Sequence, residues 1–387
     1  KCLSERKISP HRKKYCRTCR NRRKRRRRVR RNLRIYRKAA APRRKERVRQ
    51  KLRRREVVMV NLLNLTRIVN GTMLNNAAIS AVESFAIEPA KVAKKGAFIA
   101  LGANERDVRT AIDNGAYAII FDNNFKPLND EIAFIKVENL CSALVRLIKF
   151  LGETWRHGFV LINEVQSEIL RYTSVPKNLM FAPRSKGELF ISLLNAKEKN
   201  TYFTTDGDLL QSLGISPVTI PASDDFRLLY GGSIFYSSFV FGGLYYSNLI
   251  FPQLFLPELC GVIEYLSRKN IPFKFQNLSA FGHFEPIFVD RFFNVSSLGG
   301  SYRAFIAESD PELFAREAEF LRAKFREKII VCASWEDRLD GVKIVFRFNK
   351  LSALKSLPEF HYALVFAEKS AILQLLNQKP QEKNLFF

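Results

Sequence analysis

The run AYAIIFD, positions 116–122, leaves almost nothing suited to water on either face before its closing aspartate. A strand with no polar alternate set must be covered on both sides, and parallel sheets flanked by helices are the usual structures that do so. The preceding ERDVRTAIDNG has apolar residues at helical spacing and stops on Gly115, so the order is helix, stop, buried strand. The same texture recurs. GAFIAL, IAFIKV, IIVCAS, GVKIVFRF and YALVFA read as strands, with helices expected over LCSALVRLIKFLGETW, LPELCGVIEYLSRKN and DPELFAREAEFLRAKFREK. VVMVNLLNLTRIVNG reads as a short strand and a helix closed by Gly71. Strands alternating with helices define an α/β protein. Breaks in the pattern place a basic low-complexity tail at 1–56 and domains at 57–156, 157–284 and 285–387.

Charge divides the chain in the same place. Residues 1–58 hold 29 of the 65 lysines and arginines and 3 of the 37 acidic residues, leaving 36 and 34 in the other 329. The body is therefore almost neutral, and its electrostatics do not select for polyanions. The tail is expected to be disordered, with too little apolar surface to fold. Two readings of it stay open: a native appendage, or upstream sequence ending just before Met59. As an appendage it would hold nucleic acid through phosphates without base specificity, because Tyr15 and Tyr36 are its only aromatic residues.

Cys2, His11, Cys16 and Cys19 make a poor zinc set, because the second pair is loosely spaced and surrounded by cations. No metal site is expected. Cys141, Cys260 and Cys332 stand singly in apolar runs and read as buried thiols of a reducing cytoplasm. Leu228 to Pro257 is 30 residues without a charge, long enough to cross a bilayer, yet Ser, Asn, Gln, Gly and Pro interrupt it. It reads better as two buried strands, a turn at Gly242-Gly243 and a helix.

The stretch SAVESFAIEPAKVAKKGAFIALGANERDVRTAIDNGAYAIIFD resembles the N-terminal, UDP-binding domain of the Mur ligases, nearest to those that add D-alanyl-D-alanine. Gly96, Phe98, Ile99, Ala100, Leu101, Gly102, Ala111, Gly115 and Ala116 fit that family's pattern, as do Ala143 and Leu144 in the next helix. LSAFGHFE resembles its Gly-Arg-x-Glu turn, and AFIAESDPELFAREAEFLRAKFREK the opening of its C-terminal domain. The resemblance implies three successive α/β domains of Mur ligase type, the central one shortened, in a cytoplasmic protein of peptidoglycan metabolism.

The departures bear on activity. The family's phosphate loop ends in Gly-Lys-Thr, whose amides cradle ATP. The matching segment here, HGFVLINEVQSEILR, lacks those glycines and the lysine, and carries Glu164 and Glu168. Pro89-Ala90-Lys91 stands where the family has Asp-Ser-Arg, and ANERD replaces Asp-Gly-His. The resemblance thus leaves Lys91, Asn104 and Arg106 as the residues to hold a UDP-sugar. No catalytic residue and no cofactor is expected; ATP and Mg would be needed only if a divergent phosphate site kept ligase activity. The partner expected is a UDP-muramoyl peptide or a peptidoglycan-synthesis protein.

Other constellations have plainer readings. His283 and Glu285 suggest an acid/base pair, but a structural turn explains them. Asp206-Gly207-Asp208 reads as a turn that caps a helix. Glu308, Asp310 and Glu312 read as carboxylates leading a helix. His157 and His361 receive no role.

Overall fold

The computed structural model describes residues 59–152, 157–196, 198–229, 233–297, 300–325 and 328–377. The basic run, Cys2, His11, Cys16 and Cys19 lie outside them. The chain divides into two compact units, one ending at Leu140 and the other beginning at Cys141.

In the first unit the expected buried strands form one sheet. Ser84–Ala86, Gly96–Ile99, Ala116–Phe121 and Ala133–Lys136 run parallel in that order, and Thr72–Met73 adds an antiparallel edge. Phe98, Ile119, Phe121 and Phe134 are fully covered and pack with Val108 and Ala111 of the helix Glu105–Asp113. The helix Leu62–Val69 is closed by Asn70 in the left-handed conformation (φ 55°), not by Gly71 as expected. Gly71 serves close approach instead: a Cβ there would meet Ile135 Cγ2 at 2.7 Å and the Lys136 carbonyl at 2.9 Å.

Among the described residues the second unit contains four sheets, the smallest an antiparallel pair of Thr173–Ser174 and Lys274–Phe275. Leu179–Phe181, Thr201–Thr204, Gly158–Leu161 and Val218–Thr219 form a parallel sheet in that order. Arg227–Leu228, Ser237–Phe241 and Leu244–Leu249 form an antiparallel one. Gly242 and Gly243 both have positive φ, 56° and 76°, as a two-residue hairpin turn of this hand requires. Only Ser237–Phe241 alternates buried and half-buried. Leu244–Leu249 is an edge strand with Leu244 and Tyr245 exposed, which corrects the expectation of two buried strands. Among the described residues no helix is long and apolar enough to cross a membrane.

The last sheet has the order Pro286–Val289, Arg303–Glu308, Tyr362–Phe366, Ile329–Ser334, Phe346–Phe348, antiparallel only at its first strand. Strand alternation assigns its two faces. Ile306, Val331 and Leu364 pack with Phe314 of the helix Pro311–Phe325, while Phe305, Ile330 and Val365 pack with Ile372 of the helix Lys369–Asn377. The first of these clusters also takes in Val160 and Phe203 of the parallel sheet and Phe255 and Leu259 beside it. One continuous core therefore joins the central and C-terminal sheets. Cys260 and Cys332 lie inside with their thiols pushed up to about 12 by burial, whereas Cys141 is exposed, against expectation. Cys141 is the second residue of the helix Leu140–Gly152, whose apolar stripe omits it.

Candidate functional site

Three segments far apart in sequence meet in the second unit. The first is the strand-to-helix step after Gly158–Leu161. Only Ile162 and Asn163 connect strand to helix, and the helix Glu164–Arg171 begins with a closed capping box. The Asn163 side chain accepts the Gln166 amide at 2.8 Å, and Gln166 Oε1 accepts the Asn163 amide at 3.2 Å. Gln166 Nε2 then donates to the Ile220 carbonyl. Two of the four amides at this helix start, those of Asn163 and Gln166, are thus taken by side chains. One turn further on, Glu168 faces the second segment.

That segment is the turn Gly282-His283-Phe284-Glu285. Phe284 is a non-glycine residue at φ 56°, and its buried ring holds it there, 5.5 Å from Phe235 and 5.6 Å from Phe320. The turn delivers two donors to one side. The Gly282 amide donates to Glu168 Oε1 at 2.8 Å, and His283 Nε2 lies 3.3 Å from Glu168 Oε2, at ion-pair distance but off the hydrogen-bond line.

The third segment is the end of the strand Arg303–Glu308. Glu308 Oε2 lies 2.8 Å from His283 Nδ1, and Oε1 accepts the amides of Ser309 and Asp310 at 2.9 and 2.8 Å. Glu308 does serve the following helix, as expected, but as a buried strand residue that also holds the histidine. Asp310 caps the helix, accepting from Glu312 and Leu313. Behind Glu308 sits Glu317, wholly buried; burial, then the charge of Glu308 and a hydrogen bond to it, hold its carboxyl well above the usual range against the opposing Phe284 amide and Arg316. Burial alone would lower His283, but Glu308, Glu168 and Asp310 outweigh it and raise the imidazolium.

Glu168, His283, Glu308, Ser309, Glu368 and Lys369 line a cavity of about 210 Å³ at the carboxyl ends of the strands Arg303–Glu308 and Tyr362–Phe366. Carboxyl ends of parallel strands are where open α/β sheets place ligands. His283 also borders a second cavity of about 100 Å³, walled by Phe235, Phe281 and Phe284. A histidine oriented by a buried carboxylate is equipped for proton transfer. Here, however, its outer nitrogen faces Glu168.

His283 does not pair with Glu285, which forms an ion pair with Lys369. His157 Nδ1 accepts the Asn200 amide at 3.1 Å, and Asp206 caps the helix Gly207–Leu213 through the Leu209 amide. Among the described residues no group of three or more His, Cys, Asp or Glu side chains could hold a metal ion. In the first unit Lys91 is exposed and paired with Glu88 at 2.6 Å, Arg106 is exposed on the helix Glu105–Asp113, and Asn104 caps that helix in a capping box with Asp107. The side chain of Asn104 thus already has a local partner.

No family model matches this sequence, and no curated protein does. Among solved structures the chain is similar to MurF from Acinetobacter baumannii, at 10% identity over 83% of this chain and 100% of that one, with a TM-score of 0.44. It is also similar to the MurF ligase from Thermotoga maritima in complex with ADP, at 13% identity over 76% and 96%, TM-score 0.42. A third likeness is to a UDP-N-acetylmuramoyl-L-alanyl-D-glutamate–2,6-diaminopimelate ligase, at 10% identity over 80% and 93%, TM-score 0.34. No residue's role follows from these likenesses.

Proposed function

We propose that this chain is a Mur ligase-like protein of peptidoglycan metabolism that does not ligate, and that binds a UDP-linked muramoyl peptide or a cell-wall enzyme. One observation carries the proposal. The segment that stands where the family has its phosphate loop converges with the two that resemble its Gly-Arg-x-Glu turn and the opening of its C-terminal domain, and their donors are bound by the protein's own carboxylates. Glu168 takes the Gly282 amide, and Glu308 takes His283 and the amides of Ser309 and Asp310. A polyphosphate brought here would meet carboxylates where it needs amides and a lysine. The two-residue link at Ile162-Asn163 adds to this, since it leaves no loop to wrap a phosphate.

Two measurements test the reading together. Calorimetry with UDP-N-acetylmuramoyl peptides should give heat, and the same mixtures should show no muramoyl-dependent ATP turnover. Turnover would establish an active ligase with a divergent phosphate site. Absence of heat at millimolar ligand would remove the ligand-binding half of the proposal.

A further inference from the structure

The contacts of His283 have a stereochemical consequence that does not depend on what the cavity binds. Both ring nitrogens face carboxylate oxygens, Nδ1 that of Glu308 at 2.8 Å and Nε2 that of Glu168 at 3.3 Å. A neutral imidazole has one N–H and one lone pair. In either tautomer one nitrogen would then present its lone pair to a carboxylate. Only the imidazolium suits both sides.

The two carboxylates are held unequally. Glu308 is buried at 5% exposure and fixed by two backbone amides, with Glu317 behind it. Glu168 keeps 20% of its side chain exposed and accepts one amide, that of Gly282. If the ring loses a proton, Nδ1–H stays with Glu308 and the contact with Glu168 turns repulsive. Glu168 belongs to the helix Glu164–Arg171, and Glu308 to the last sheet.

From this we infer that His283 is a proton-operated clasp: protonated, it ties the helix Glu164–Arg171 to the end of the strand Arg303–Glu308, and on losing its proton it frees the Glu168 side of the adjoining cavity. The charges around it favour the closed form. Glu168 faces the ring from the helix Glu164–Arg171, Glu308 and Asp310 from the strand end, and Glu317 stands behind Glu308 on the helix Pro311–Phe325. Glu368 and Lys369 line the same cavity, and Glu285, which borders the smaller one, is paired with Lys369. The rings of Phe281 and Phe255, 5.5 and 6.4 Å from the imidazole, keep water from one side. A histidine raised in the folded state contributes stability below its ordinary value and loses it as pH rises through the folded value. The clasp therefore closes in mild acid and opens towards alkaline pH.

Hydrogen–deuterium exchange of the full chain at pH 6 and pH 9, corrected for intrinsic exchange, tests this. In the wild type the opening equilibrium of the segment 164–171 should rise several-fold between the two pH values, as the imidazolium that holds Glu168 loses its proton. In His283→Gln that step should vanish. An unchanged step in the variant, or none in the wild type, overturns the inference. Should His283→Gln fail to fold, Glu168→Gln serves instead, because it keeps an oxygen for the Gly282 amide. There the His283 Cε1 proton resonance should titrate at lower pH than in the wild type, because one of the charges that raise it is gone, and the exchange step should shrink. Titration unchanged from the wild type would equally overturn it.

Discussion

Arg316 Nη2 lies 2.7 Å from Glu258 Oε1, joining the helix Pro311–Phe325 to the helix Leu256–Arg268 across the shared core. Glu258 is 4% exposed and its second oxygen meets no donor, so among the described residues the compensation of this buried carboxylate rests on Arg316. Arg316 also covers the Phe255 ring at 5.4 Å. Arg316→Met should keep most of that packing while leaving Glu258 uncompensated. The expected loss is about 2–4 kcal/mol, below the full range for a buried pair because the arginine is partly exposed. Adding Glu258→Gln should recover part of it. Urea unfolding of the single and double variants reads the coupling; a single-variant loss under about 0.5 kcal/mol, the size of a neutral surface change, would show that the pair contributes nothing.

Glu317 is set up to make the wild type less stable as pH rises. Its carboxyl is raised by burial and by Glu308, so above the ordinary carboxylate range the unfolded chain ionises while the folded chain holds the proton. Stability is then fullest below that range and falls with increasing pH. Glu317→Gln removes the titration and keeps a donor for Glu308. Its gain over wild type should be small near pH 4 and grow through pH 5.5 to pH 7 in urea midpoints. An equal difference at all three would mean that Glu317 titrates as an exposed carboxyl does.

The elements made by local chemistry were legible in the sequence, and those made by distant partners were not. The unbroken apolar run Ala116–Phe121, the Asp310-Pro311 helix start, the cap at Asp206 and the Gly242-Gly243 turn each follow from a few adjacent residues. The site follows from none of them. Glu168 and Gly282 lie 114 positions apart, and Glu308 reads from its neighbours as an ordinary helix-leading carboxylate. The signal that was available is composition. Glu168 is followed directly by Ile169 and Leu170, both buried, and Glu317 sits on the buried face of its helix. A carboxylate on a core face requires either a partner or a proton. Exposure of Leu244–Leu249 was hidden for a different reason: uncharged residues at a sheet edge look like core residues until strand order is known.

Asn104 separates a structural role from a ligand role. Its side chain accepts the Asp107 amide at 3.0 Å, and the Asp107 carboxylate accepts the Asn104 amide at 3.0 Å. Asn104→Ala should cost about 0.5–2 kcal/mol, the usual loss for a helix cap, while Asn104→Asp should keep the thermal midpoint because aspartate caps equally well. Binding of UDP would respond in the opposite order, since a carboxylate would repel the diphosphate. Thermal midpoints with and without UDP distinguish the two roles. A wild-type midpoint in Asn104→Ala would dismiss the capping box as a stabilising feature.

Gly261 inverts the usual expectation for a glycine inside a helix. At an open position, replacement by alanine stabilises a helix by about 1 kcal/mol. In the helix Leu256–Arg268, however, a Cβ on Gly261 would overlap the carbonyl oxygen of Pro221 and crowd the Cα of Ala222. That segment cannot retreat easily, being tied on one side by Gln166 Nε2 to the Ile220 carbonyl at 2.8 Å and on the other by the Ser223 amide to the Pro257 carbonyl at 2.9 Å. Gly261→Ala should therefore lower stability by about 1–3 kcal/mol, as overpacking of a core does. Ser267→Ala, at an exposed position on the same helix, should be neutral or slightly stabilising. If Gly261→Ala raised the urea midpoint alongside Ser267→Ala, the close approach of helix and Pro221 would not exist in solution.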